Sequence, residues 1–143
     1  MGKYLITTCL FLLIIGTSCS ETVTPMSKRQ LIINSWHNDY TKNTTDGDFY
    51  VPTLIKLPAS RFRQSVSFKV DNGFDILMLS PNDAHYMISG TYQWENDSLI
   101  TAKAYDYQIE NLLSGEQIKT VLTIDFKFKV IELTPQKLLM KII

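Results

Sequence analysis

Cysteine is nearly absent from this chain of 143 residues, which holds only Cys9 and Cys19. Cys9 lies inside an apolar run and Cys19 directly after its end, so no spaced cysteine pair exists to bind zinc or to staple a domain. Histidine is equally sparse. His37 and His85 each have an aspartate two residues away, Asp39 and Asp83, but two separated histidines do not supply the three or four convergent ligands of a metal site. The stretch "TDGD" from Thr45 to Asp48 lacks the further acidic ligands of a calcium loop and reads as a turn. No Gly-x-Ser-x-Gly elbow and no phosphate loop occurs, so the sequence gives no catalytic residue, no cofactor and no metal, and it reads as a non-enzyme. Charge of one sign is also missing. There are 14 basic and 14 acidic side chains with no basic stripe, which excludes nucleic acid as a partner.

Long apolar runs are missing too. The longest, Tyr4 to Ile15, is about a dozen residues, short of the about 20 that cross a bilayer as a helix. Its context gives it another meaning. "MGKYLITTCLFLLIIGTSC" places one cation at Lys3, the apolar run, and then Gly16, Thr17 and Ser18, the three-part layout of a secretory signal. Small residues immediately before Cys19 resemble the lipobox of bacterial lipoproteins, with Gly16 where that pattern usually has an aliphatic residue. The resemblance implies a diacylglyceryl thioether on Cys19 as the mature first residue and loss of Cys9 with the signal. N-myristoylation does not fit, because its pattern needs Ser or Thr at position 6 and Ile6 stands there. The expected organisation is a signal peptide over 1–18, a polar tether over 19–27 and one domain over 28–143. The expected location is the cell envelope, with the chain lipid-anchored to a membrane, the outer membrane of a Gram-negative bacterium.

Aromatic and β-branched residues are plentiful, which favours sheet. In "QIKTVLTIDFKFKV" the residues Ile118, Thr120, Leu122, Ile124, Phe126, Phe128 and Val130 share one face against Lys119, Thr123, Asp125, Lys127 and Lys129 on the other, the alternation of a half-buried strand. The parity then changes at Ile131 and Leu133, which predicts a bulge or bend near Val130. "VSFKVDNGFDILML" is a hairpin about Asp71-Asn72-Gly73. Turns at Ser80 to Asp83, Glu95 to Asp97 and Thr134 to Lys137 separate "HYMISGTYQW", "SLITAKAYDY" and "KLLMKI", while "LIINSWHNDY" and "DFYVPTLIKL" supply the first two strands, with Pro52 and Pro58 keeping the second short or at an edge. A helical turn is allowed before Leu31 and in the Glu110 to Gly115 loop. The fold class is therefore all-β. Eight sequential antiparallel strands close most economically into an up-and-down barrel, and a two-sheet sandwich is the alternative.

The order of parts is similar to a lipocalin-like barrel of bacterial lipoproteins. Lipocalins carry Gly-x-Trp on the first strand, and "INSW" puts Trp36 in that role with Asn34 for the glycine; Tyr105-Asp106-Tyr107 stands where the family has Thr-Asp-Tyr, and the tail "KLLMKII" offers Lys141 where the family has Arg. The resemblance implies a barrel that holds a small apolar or amphipathic molecule.

Within such a barrel Trp36, Tyr86, Tyr92 and Trp94 are core residues that would line a cavity if the centre were empty. Arg61 and Arg63 are the one pair able to grip a carboxylate or phosphate. If the third strand begins by Phe62, then Phe62, Val66, Phe68 and Val70 point inward and both arginines point outward to the rim, so that Arg63→Ala leaves the fold intact. Leu77 and Leu79 alternate with Phe74, Ile76 and Met78, which makes the fourth strand apolar on both faces. Two functions follow as expectations. One is a carrier of a small apolar ligand; the other is a filled barrel that docks on another envelope protein through that two-faced strand.

Overall fold

A computed structural model describes residues 25–79, 85–111 and 117–143. The signal, Cys19 and most of the tether, the Ser80 to Asp83 turn, and the loop beyond Asn111 lie outside the described residues. The elements are α1 (Lys28–Leu31), β1 (Asn34–Asn38), a single 3₁₀ turn (Tyr40–Lys42), β2 (Asp48–Pro52), β3 (Ser65–Phe68), β4 (Gly73–Leu79), β5 (His85–Asn96), β6 (Leu99–Asn111), β7 (Gln117–Thr134) and β8 (Lys137–Ile142).

The eight strands close into one antiparallel barrel, in the order β1-β2-β8-β7-β6-β5-β4-β3 and back to β1. A sandwich is excluded by that closure. From β3 to β8 every strand pairs with its neighbour in sequence. The first hairpin is set differently, because β1 stands between β2 and β3. Residues 53–64 therefore cross β1, leaving where Thr53 N donates to Ser35 O and returning where Asn38 N donates to Gln64 O. This crossing keeps to the surface, and it accounts for one departure from the sequence reading. Phe62 does not point inward; it belongs to the crossing and is 63% exposed. Val70 does not point inward either. The strand between them is four residues long, so Val70 falls in the following turn and is 81% exposed. Only Val66 and Phe68 of the four expected residues enter the core.

Two local signals act where the alternation placed them. Asn72 adopts φ 62°, the left-handed conformation that Asn tolerates in a tight hairpin. The β7–β8 register shifts between Val130 and Glu132, so Ile131 is the extra residue of a bulge and both Val130 and Leu133 face the core.

One end of the barrel is capped. Ser27 and Gln30 form a capping box, with Gln30 N donating to Ser27 Oγ (3.3 Å) and Ser27 N donating to Gln30 Oε1 (3.0 Å). The single turn of helix they start ends at Ile32, whose carbonyl accepts from the Trp36 indole N–H at 3.0 Å. Lys28 Nζ donates to Asp97 O in the β5–β6 turn at 3.3 Å. Trp36 and Ile32 are wholly buried beneath this cap.

Candidate functional site

Among the described residues, aromatic rings pack against one another at the barrel axis. Phe68, Phe74, Phe126, Phe128 and Tyr92 meet as a connected cluster of rings, with centroids 5.0 Å apart for the edge-on pair Phe68–Tyr92 and 5.6 Å for Phe74–Phe128. Such geometries contribute about 0.5–1.5 kcal/mol per pair beyond the area buried. Ala102 and Ala104 stand on the same inward face of β6, where small side chains leave room for the phenyl rings. Alternation showed which residues point inward. It gave no means of adding their volumes.

The sequence-derived candidates are not brought together. Trp36 sits under the helical cap. Tyr92 is buried, and its hydroxyl donates to Lys69 O at 3.2 Å; burial raises its pKa, with Asp71 adding to the effect. Trp94 is partly buried at the same end, and its indole nitrogen has no hydrogen-bond partner among the described residues. Tyr86 lies at the opposite end and is 39% exposed. Arg61 and Arg63 belong to the crossing segment. Arg63 donates to Pro58 O within that segment, the Arg61 guanidinium lies 5.5 Å from the centroid of the Phe62 ring, and the His85 Nε2–H donates to the Arg61 carbonyl. Of the lipocalin-type positions, Tyr105-Asp106-Tyr107 lies within β6, and Lys141 reaches Thr45 O at 3.5 Å.

Beneath the crossing, His37 is half-buried on the outer face of β1. Its pKa is lowered, first by burial and then by the positive charge of Arg63. A histidine neutral in the fold but protonated in the unfolded chain makes the unfolded state bind more protons, so stability rises with pH through the ordinary histidine range, near 6.5. It is lost as pH falls from about 6.5 toward the lower native value. The urea midpoint is therefore expected to drop between about pH 7.5 and about pH 5.5, and to drop less in Arg63→Gln. An equal drop in both proteins would show that Arg63 does not act on His37.

A second feature comes from unequal strand lengths. β1, β2, β3 and β8 have four to six residues, whereas β5, β6 and β7 have 12, 13 and 18. At about 3.3 Å per residue β5, β6 and β7 run roughly 20–40 Å longer than the short strands, whereas β4, with seven residues, is only a few ångströms longer. This tall wall rises at the end away from the helical cap. Its inner row continues the core face upward from Ile76 and Ile88 to Met78, Tyr86 and Leu122, of which Tyr86 and Leu122 are exposed. The outer row carries Leu77 opposite Met87, then Tyr105 and Val121. The apolar second face of β4 thus continues onto β5, while β6 and β7 carry a second apolar strip, the two flaps of the wall parting beyond Ser89 and Tyr105 where the β5–β6 ladder ends. β7 pairs with β8 only from Phe128 onward, so among the described residues Gln117 to Phe126 have a strand on one side alone.

Sequence reasoning found β4 and missed Met87, Tyr105 and Val121 as parts of that wall, because their exposure depends on where the neighbouring strands stop. Among the described residues no group of three His, Cys, Asp or Glu is placed to hold a metal ion, and no helix is long and apolar enough to cross a membrane. No protein-family model, no curated protein and no solved structure matches this chain.

Proposed function

We propose that this protein is a lipid-anchored component of the bacterial cell envelope whose barrel is a filled, non-enzymatic docking module, and that its partner is another envelope protein. The observation that carries the reading is an apolar wall standing above a barrel whose axis is occupied by phenyl rings. A carrier needs an interior of about 300 Å³ or more to enclose a ligand, and a connected ring cluster fills that space here. Apolar strips on both faces, beside β5, β6 and β7 segments that each have a strand on one side alone among the described residues, offer what an added strand requires: free backbone groups and alternate apolar positions.

Polarity along the barrel fits anchorage at Cys19. Pro25, the first described residue, precedes the helical cap, so the tether joins the end opposite the wall. An anchored chain would hold its docking surface away from the bilayer.

Native mass spectrometry of residues 20–143 is expected to give the bare chain, and radioactive palmitate is expected to label the full chain but not Cys19→Ser. A small molecule that stays bound at unit stoichiometry would restore the carrier reading. An unlabelled full chain in a bacterium competent for lipoprotein processing would remove the anchor.

A further inference from the structure

An open groove of about 660 Å³ lies at the capped end, between α1, the β3–β4 turn and β5. Its apolar lining is Ile33, Val70, Tyr92 and Trp94, and Arg29 and Asp71 add one charge of each sign. Among the described residues Arg29 has no acidic partner. Val70 and Ile33 are both exposed, as is Met26 just before the helical cap. An exposed valine at a hairpin tip does nothing for the core, since the ring cluster is complete without it.

We infer that this groove is the seat of the domain on the bilayer, taking the headgroup and upper acyl region of a zwitterionic phospholipid. The inference rests on anchorage through Cys19. Five residues separate Cys19 from Pro25, six steps along the chain and a reach of roughly 20 Å at about 3.3–3.6 Å per residue. Pro25 leads directly into the helical cap that forms one side of the groove, so the tether holds this end of the barrel, and no other, at the membrane surface. The charges suit the occupant. A zwitterionic headgroup carries a phosphate and an ammonium a few bonds apart; Arg29 meets the first and Asp71 the second. Ile33 and Val70 enter the boundary between headgroups and acyl chains, the depth of about 5–10 Å at which surface-bound apolar side chains are buried. Seating also fixes the orientation of the tall wall, which a flexible tether alone would leave free to tumble.

The chain contains two tryptophans, and their placement supplies the test. Trp36 is wholly enclosed, whereas Trp94 lines the groove. Full-length acylated protein is reconstituted into vesicles of phosphatidylethanolamine and phosphatidylcholine brominated near the top of the acyl chains. Flotation reports the anchor and fluorescence reports the seat. Bromine is expected to quench the Trp94 emission by roughly half, because the seat puts that ring at the headgroup–acyl boundary that surface-bound apolar side chains enter by about 5–10 Å, and to leave Trp36 unaffected. Trp94→Phe should abolish the quenching, and Val70→Asp and Arg29→Glu should each reduce it while the protein still floats. Both substituted side chains are exposed, so the fold is not at risk. Flotation without quenching, or quenching unchanged in Val70→Asp and Arg29→Glu, overturns the seat and leaves the anchor standing. Failure to float overturns the anchor, and the seat falls with it.

Discussion

Replacing Gly90 with alanine is expected to cost this protein about 3 kcal/mol or more, lowering its melting temperature by on the order of 10–20 °C. Gly90 pairs with Phe74 on one side and Ala104 on the other, just inside the point where β5 and β6 part company. A Cβ there would lie 1.8 Å from the Lys103 carbonyl oxygen and 2.6 Å from the Ala104 Cα. Both obstacles are backbone. A side chain in the way can rotate, but the β6 backbone is held by its ladder to β7, so relief requires breaking β5–β6 pairing at the foot of the tall wall. The glycine is kept for space and marks a close approach of two strands. Ala104→Gly should not rescue Gly90→Ala, since the obstructing atoms remain. A Gly90→Ala protein that melts within a degree or two of wild type would show that β5 and β6 do not approach this closely.

Phe74→Ala is the second large effect. Phe74 is wholly buried and sits among Phe68, Phe126 and Phe128, with centroids 5.5, 5.8 and 5.6 Å away. Truncating a buried phenylalanine costs about 3–5 kcal/mol, the sum of lost transfer energy and the cavity that remains. The consequence for function is more specific than the loss of stability. If the wild-type barrel is filled, the variant should acquire an apolar void on the order of 100 Å³, and such voids stay dry and bind benzene or xenon. Benzene is therefore expected to raise the melting temperature of Phe74→Ala and leave that of the wild type unchanged, by the linkage between binding and folding. Stabilisation of the wild type by benzene would mean that a cavity is already present, and the carrier reading would regain its footing.

These two positions show how far local pattern reaches. The inward residues Val66, Phe68, Tyr92, Phe126 and Phe128 were legible, because side chains alternate every two residues whatever the strand packs against, whereas β4 is apolar on both faces and only its neighbours turn Phe74 and Ile76 inward. The turn at Asn72 and the bulge at Ile131 were legible for the same reason: residue preference and a change of parity are local. Phe62 and Val70 were misassigned because alternation was carried past both ends of a four-residue strand. Nothing in "RFRQSVSFKV" marks where its ladder stops; the partners β1 and β4 decide that.

The sequence alone determined the class of the fold, the strands and most of their buried faces, since each depends on residue type and short-range spacing. The tertiary structure decided the rest. Closure with β1 between β2 and β3 depends on pairings between residues far apart in the chain. The filling of the axis depends on how the volumes of rings from four strands add at the barrel radius. The exposure of Tyr86, Leu122, Met87 and Val121 depends on short neighbours ending below long ones. None of these quantities is a property of one strand, and together they turn a barrel that alternation would allow to be hollow into a packed one with an apolar wall.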